Sequence, residues 1–407
     1  MRIIHTADWH LGQYFYTKSR APEHQAFLDW LIEQITEHQV DALIVVGDIF
    51  DNGSPPSYAR EMLNRFVVAL RTTGCQLVLL AGNHDAVATL NESRDLLACL
   101  NTRVIAKAAE DVTLQVFTLN THQGAPGAIL CAIPFLRPRD ILRSLAGQSG
   151  VEKQIALQDA ISEHYAQCYQ HACDLRDTLA MPLPIIATGH LTTVGVTASE
   201  AVREIYIGSL DAYPVQAFPP ADYIALGHIH RPQRVGHSEH IRYSGSPIAL
   251  SFDELGSEKS VTLIDCSPSA PPEITLLPVP VTQPMRLIKG NLADIEQQLH
   301  SLPIPEASQR IWLDIEIATD TYLSDMQQRI QQLTHTLPVD VLLLRRNREQ
   351  RLQAIAREKK ETLDELSPQD VFERKLALTD MAQEQQARLR PLFDEMVRDV
   401  TEGAPQA

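Results

Sequence analysis

Gln76-Leu77-Val78-Leu79-Leu80-Ala81-Gly82-Asn83-His84-Asp85 decides how the rest of the chain is read. The apolar run from Leu77 to Ala81 has the length and composition of a strand buried on both faces of a parallel sheet. It stops at a glycine, and an amide, an imidazole and a carboxylate follow. Ligands of open α/β sheets gather at the carboxyl ends of strands, so these groups stand where a site is expected. The arrangement recurs. Ala42-Leu43-Ile44-Val45-Val46 runs into Gly47-Asp48, and Pro184-Ile185-Ile186-Ala187-Thr188 into Gly189-His190. Tyr223-Ile224-Ala225-Leu226 runs into Gly227-His228-Ile229-His230, and Ile3-Ile4-His5-Thr6 leads to Asp8-Trp9-His10. Five strand ends each deliver a metal-type ligand.

The chain of 407 residues has room for two or three domains and a large core. A net charge of −16 argues against a general nucleic-acid coat, because an acidic surface repels phosphate. A polyanion would have to be held by a local site or by a basic partner. The six cysteines form no CxxC pair, as expected of reduced, buried thiols. The first residues carry no basic start followed by an apolar stretch, and the apolar runs are strand-length. A cytoplasmic protein without a membrane span is expected.

Outward from the opening stretch, Pro22 to Val40 predicts a helix with Phe27, Leu28, Leu31, Ile32 and Ile35 on one face. Ser57 is expected to cap a second helix, striped by Tyr58, Met62, Leu63, Phe66, Val67 and Leu70. With the strands at 42–46 and 77–81 this is βαβαβ, hence a parallel sheet. Thr89 and Glu92 fit a capping box for a short helix ending near Asn101. Residues 111 to 133 predict a hairpin turning at Gly124-Ala125-Pro126-Gly127, and 151 to 179 a long helix. Strands at 184–188, 223–227, 241–244 and 260–265 complete a second sheet. Ser267 to Pro284, rich in proline, is expected to be an exit linker with one strand at 274–277. The fold class is therefore α/β, a two-sheet sandwich flanked by helices, over residues 1–280. A small α/β domain follows at 285–344, alternating strand, helix, strand, helix, strand. Residues 345–407 are charged and helical, with a helix start at Ser367-Pro368-Gln369-Asp370.

The ligand candidates are Asp8, His10, Asp48, Asn83, His190, His228 and His230. Oxygen and nitrogen donors without a thiolate, too many for one tetrahedral zinc, suit two divalent ions, manganese best. One carboxylate must bridge such a pair, and Asp48 is the natural choice. Two divalent ions facing only Asp8 and Asp48 as anions leave a net charge of about +2, which attracts phosphate even on an acidic protein. His84, without an obvious metal duty, is expected to stabilise the transition state or protonate the leaving oxygen. Each motif alone is weak, since turn aspartates and loop histidines are usually hydrogen-bonding groups. Convergence at strand ends gives them weight.

The order Asp8-x-His10, Gly47-Asp48-x-x-Asp51, Gly82-Asn83-His84-Asp85, Gly189-His190, Gly227-His228-x-His230 resembles the calcineurin-like metallophosphoesterase superfamily. Within it, Ser244-Gly245-Ser246-Pro247, Pro55-Pro56-Ser57-Tyr58-Ala59-Arg60 and Pro134-Phe135-Leu136-Arg137-Pro138-Arg139-Asp140 resemble the bacterial branch of the DNA double-strand-break repair nuclease family. The resemblance implies one manganese on Asp8, His10, Asp48 and His230, and a second on Asp48, Asn83, His190 and His228, with His84 catalytic. Asp51 stands where archaeal and eukaryotic members often carry histidine, and by the wider superfamily it is expected to hold His84. Phosphoprotein phosphatases follow this acid with Arg-Gly; Asn52-Gly53 here favours a phosphodiester.

The resemblance further implies cleavage of DNA hairpins, 3′→5′ duplex exonuclease and single-strand endonuclease action, in replication, recombination and repair. It makes 285–344 a capping domain that positions DNA, and the C-terminal helices a dock for a coiled-coil ATPase partner. No ATP-binding signature is present, so ATP control would come from that partner. Helices 22–39 and 57–71 resemble the family's homodimer interface, within a heterotetramer, although their stripes equally suit the sheet. Arg137, Arg139 and Arg143 are candidates for contact with the DNA backbone. Two other classes stay open: a phosphomonoesterase or cyclic-nucleotide phosphodiesterase on the same fold, and a DNA-end-binding scaffold with a silent site.

Overall fold

A computed structural model describes residues 1–142, 149–202, 212–268, 270–303, 309–318 and 326–346, with 372, 376 and 388–393 beyond them. Arg143, the helix start at 367–370 and nearly all of the C-terminal region from 345 lie outside the described residues.

The chain opens with β1 (Arg2–Thr6) and a hairpin of β2 (Tyr14–Phe15) and β3 (Lys18–Ser19). Helix α1 (Ala21–Glu37), β4 (Ala42–Val46), α2 (Ser57–Arg71) and β5 (Gln76–Leu80) then alternate. Short helices α3 (Val87–Asn91) and α4 (Arg94–Ala98) lead to β6 (Thr102–Ile105). β1, β4, β5 and β6 pair in parallel, because each crossover returns the chain to the same sheet end. Phe27, Leu28, Leu31 and Ile35 of α1 and Leu63, Phe66, Val67 and Leu70 of α2 are buried with Leu43, Val45, Leu77 and Leu79 of the sheet. These stripes serve the chain's own core, each large side chain contributing ~1.5–3 kcal/mol by burial.

Two expected caps are not formed. Pro56 is the N-cap of α2, its extended backbone (φ −63°, ψ 154°) leaving Ser57 as the first helical residue. The Thr89 hydroxyl donates to the Gly53 carbonyl at 2.9 Å, tying the loop after β4 to α3.

The chain continues through β7 (Val116–Asn120) and β8 (Pro126–Cys131), short α5 (Pro138–Ile141) and long α6 (Gly150–Leu179). Next come β9 (Ile185–His190), β10 (Tyr223–Gly227), β11 (Gln233–Arg234) and β12 (Ile241–Tyr243). These strands form a second sheet in the order β11–β12–β10–β9–β8–β7. The expected hairpin starts late: Val112–Gln115 is a helical turn capped by the Asp111 carboxylate, so its apolar alternation is not that of a strand.

β13 (Ser260–Asp265), expected in the second sheet, pairs antiparallel with β1 in the first, and β14 (Glu273–Pro278) extends that sheet. Its sides explain the placement. Val261 and Leu263 face the helices, whereas Ile264 faces the second sheet, and alternation alone cannot say which sheet a strand joins. Residues 267–284 are thus more than a linker. The two sheets close on Ile3, Ile44, Val46, Val78 and Leu80 from one side and Leu130, Ile186, Tyr223 and Ala225 from the other.

A separate three-stranded parallel sheet follows: β15 (Met285–Gly290), α7 (Leu292–His300), β16 (Ile311–Ile317), α8 (Met326–Thr334) and β17 (Val339–Arg346). It has its own core around Ile288, Ile295, Leu299, Leu313, Ile315 and Ile330. Met285 and Trp312 of this unit pack on Phe15 and Phe252 of the sandwich.

Candidate metal centre

The carboxyl ends of β1, β4 and β5 in one sheet meet those of β9 and β10 in the other; His190 ends β9 and the other ligand candidates lie in the loops there. Close approach explains the glycines. A Cβ on Gly82 would stand 2.1 Å from Asp48 Oδ1, and one on Gly47, whose φ is +82°, 2.2 Å from His190 Nδ1. No other residue fits at either place. Asp8, His10, Asp48 and His228 adopt left-handed backbone, with φ of 55°, 49°, 48° and 94°, although none is glycine. Such conformations cost on the order of 1–3 kcal/mol each and persist where surrounding bonds enforce them. Here the Asp8 amide donates to Gly47 O and the His10 amide to Asp48 O, both at 3.0 Å. The His228 amide donates to the Asp8 carboxylate at 2.9 and 3.1 Å.

Two buried ligand groups result, Asp8/His10/His230 and Asp48/His190/His228, and a third, His10/Asp51/His84, is partly buried; in each the donor atoms lie within 4.8 Å of one another. The Asp48 carboxylate lies between the two buried groups. Its Oδ2 is 3.2 Å from His190 Nε2 and 3.7 Å from His10 Nε2, while Oδ1 accepts the His84 amide at 2.8 Å. His190 Nδ1 donates to Val46 O at 2.9 Å, so in the neutral ring Nε2 carries the lone pair. That lone pair faces Asn83 Oδ1 at 3.0 Å as well as Asp48, and His228 Nδ1 is 3.1 Å from the same amide oxygen. Acceptors converging in this way are reconciled by a proton or a cation. Nε2 of His10 and Nε2 of His228 are buried without a hydrogen-bond partner among the described residues. The donor set therefore fits two divalent ions.

The electrostatics run the same way. Burial would raise the Asp48 carboxyl, but the His190 imidazole, with His10 and His84, holds it well below the carboxylate range. Burial would lower His190, yet Asp48 and Asp8 outweigh it and raise the ring to about 9. Burial and repulsion from His190 push His228 well below its ordinary value.

Asp51 meets His84 through its backbone: Nδ1 donates to the Asp51 carbonyl at 2.7 Å. The Asp51 carboxylate accepts His10 Nδ1–H at 3.2 Å, and its oxygen lies within 4.8 Å of the His10 and His84 ring nitrogens. The Arg137 guanidinium lies on the carbonyls of Asp85 (2.7 Å), Ala106 (3.3 Å) and Gly82 (3.4 Å), which makes it a brace for the Asn83–His84 loop. The Arg139 side chain is 76% exposed, beside Asp140 at 3.7 Å. Asp85, given no role by the sequence reading, is a second brace. It accepts the amides of Gly82, Ile49 and Phe50 at 2.9, 3.1 and 3.0 Å and so pins the loop after β5 to that after β4. Burial and the Asp48 charge push its carboxyl up to about 6. Its place at the end of Gly82-Asn83-His84-Asp85 is the signal that could have found it. Glu254, behind His230 at 3.2 Å, has none.

Residues 1–232 match the family profile described as calcineurin-like phosphoesterase, and residues 281–380 the one described as type 5 capsule protein repressor C-terminal domain. The SbcD component of the SbcCD nuclease of Escherichia coli (strain K12) is 60% identical over 393 residues, covering 97% of both chains. The protein of the same name from Rhodobacter capsulatus is 34% identical, over 83% of this chain and 88% of that one. That from Bacillus subtilis is 31% identical, over 80% and 81%. A buried, cation-ready donor set at the meeting of two sheets and a near full-length match agree: the chain belongs to the SbcD nuclease family of calcineurin-like phosphoesterases, which are metal-dependent phosphodiesterases.

Proposed function

We propose that this chain is the manganese-dependent DNA nuclease subunit of an SbcCD-type complex, cutting hairpins, degrading duplex ends 3′→5′ and nicking single strands. The observation that carries the reading is the ring of acceptors around Asp48, completed by His10, His190, His228, Asn83, Asp8 and His230, with two buried imidazole nitrogens lacking hydrogen-bond partners among the described residues. Two divalent ions, if held by these residues, would supply Lewis acidity toward a phosphodiester. The remaining steps belong to the chain. Asp48, between the two donor groups, fixes their separation. His84, its Nδ1–H anchored on Asp51 O, turns Nε2 toward the substrate; as imidazolium it gives the Nε2 proton to the departing oxygen as the P–O bond breaks and is left neutral. Asp51 and Arg137 keep His10 and the Asn83–His84 loop in place.

Residues 1–280 form the nuclease domain in this reading, 285–344 a cap that positions DNA, and 345–407 the segment that docks on an SbcC-type coiled-coil ATPase. The separate family match over 281–380 supports a C-terminal part distinct from the phosphoesterase domain. Two copies within a heterotetramer would work in the cytoplasm, and among the described residues no helix is long and apolar enough to cross a membrane. With a net charge of −16, long-range attraction of DNA falls to the centre itself and to the partner.

The test is cleavage of hairpin and linear duplex DNA with manganese or magnesium, with and without partner and ATP. Manganese-dependent cutting of hairpins, with duplex digestion rising on addition of partner and ATP, is expected. Turnover of small phosphomonoesters in preference to DNA would overturn the proposal.

A further inference from the structure

Glu254 ends the helical turn Phe252–Glu254 and is fully buried. A buried carboxylate is costly unless its oxygens are satisfied, and these are. Oε1 accepts His230 Nδ1–H at 3.2 Å and the hydroxyls of Ser199 at 2.7 Å and Ser251 at 3.2 Å. Oε2 accepts the Leu250 amide at 3.1 Å, the Ser246 hydroxyl at 3.4 Å and the Lys259 ammonium at 2.5 Å. Lys259, also buried, donates to the His230 carbonyl at 2.8 Å and to Ser246 Oγ at 2.8 Å. One ion pair thus grips His230 twice, the acid on its ring and the base on its backbone.

Stability alone does not account for this arrangement. A buried ion pair is often no better for stability than apolar side chains of the same volume, because desolvation offsets the attraction. An imidazole that ligates a cation, by contrast, needs its other nitrogen held by an acceptor, which fixes tautomer and direction and strengthens the donor.

We infer that Glu254, seated by Lys259, is a positioning residue of the metal centre: it holds the His230 ring in the tautomer with hydrogen on Nδ1, which leaves Nε2 for a cation that Asp8 and His10 would share. The inference rests on the reading of Asp8/His10/His230 as one half of a dinuclear centre.

Full-length protein is titrated calorimetrically with manganese chloride, and metal content is counted after dialysis. The variants are Glu254→Gln, Glu254→Gln/Lys259→Met, His230→Ala and His230→Ala/Glu254→Gln, each checked for folding by thermal unfolding in chelator. The double replacement of Glu254 and Lys259 leaves no unpaired buried charge, so it stands in if Glu254→Gln does not fold. Wild type should bind two equivalents. Loss of the Glu254 charge should weaken one equivalent by ~10–100-fold and leave the other unchanged. In the His230→Ala background the Glu254 change should add nothing. Two equivalents at wild-type affinity in Glu254→Gln overturn the inference, and so does an undiminished loss in the His230→Ala background. A wild-type protein that binds no manganese overturns the dinuclear reading and this inference together.

Discussion

The two halves of the centre are braced by different chemistry. In the Asp8/His10/His230 half each imidazole has a carboxylate behind it, Asp51 behind His10 and Glu254 behind His230. In the Asp48/His190/His228 half, His190 rests on the backbone carbonyl of Val46, and His228 lies against the Asn83 amide oxygen. A carboxylate makes an imidazole a stronger donor and can be removed by one substitution; a strand's own carbonyl cannot. The first half is tuned by side chains far apart in sequence, whereas the second is built into the end of β4. Single mutations should therefore split the halves.

The largest effect expected comes from a residue that is read as no metal ligand. His84→Ser removes the proton donor, and cleavage of hairpin DNA should fall by about 10²–10⁴-fold. Both equivalents of manganese should stay. A variant that loses metal as well would make His84 part of one half, and one that cuts at the wild-type rate would remove it from the mechanism.

Asp51→Ala comes next, and it separates two functions of one residue. The carboxylate behind His10 disappears, while the carbonyl that anchors His84 remains. One manganese equivalent should weaken by ~10–100-fold, and cleavage should recover when manganese is raised to saturation. Equal weakening of both equivalents would erase the distinction between the halves.

How far the sequence reaches follows from the same contrast. The second half is legible because its constraints are local. An apolar strand, a glycine and a ligand must be consecutive, since a Cβ on Gly82 or Gly47 would strike Asp48 or His190. The braces of the first half are not. Nothing near Glu254 in sequence says that it will meet His230, and only the fold joins Lys259 to both. The left-handed backbone of Asp8, His10, Asp48 and His228 is invisible for a related reason, because non-glycine residues adopt it only when tertiary bonds impose it. Pattern alone puts strand 260–265 in the wrong sheet, since alternation fixes which side chains share a face but not the neighbour. Arg137, a candidate DNA contact from a basic run, also lies on loop carbonyls, a role that no charge pattern records.

Arg137→Met sharpens the comparison from the second half. Its guanidinium braces the loop that carries Asn83, so the change should destabilise the chain by ~1–3 kcal/mol in denaturant unfolding. The manganese equivalent served by Asn83 should suffer more than the other. The salt dependence of DNA binding should not move, whereas a phosphate contact would lower its slope by about one. A stable variant with a reduced slope would return Arg137 to the DNA interface.

The smallest effect concerns an imidazole that belongs to neither half. His5 on β1 is fully buried between the sheets, its Nε2–H donating to Leu226 O at 3.2 Å and its Nδ1 accepting the Tyr223 hydroxyl at 3.0 Å. It has a carbonyl, as His190 does, but no carboxylate within hydrogen-bond reach among the described residues. Burial, with the Arg242 charge adding to it against the Leu226 carbonyl, pushes its pKa down to about 3, where His190 beside Asp48 rises to about 9. The folded value lies below the unfolded one, near 6.5. The stabilising contribution is therefore complete above pH 6.5 and is lost as pH falls from there toward 3, at up to ~1.4 kcal/mol per unit. His5→Gln keeps a donor and an acceptor but does not titrate. Unfolding free energies of wild type and variant, measured in matched buffers from pH 7 to 5, should converge by about that slope as the medium is acidified. Parallel curves would mean that His5 takes up a proton in the folded chain, and that burial without a carboxylate does not keep an imidazole of this fold neutral.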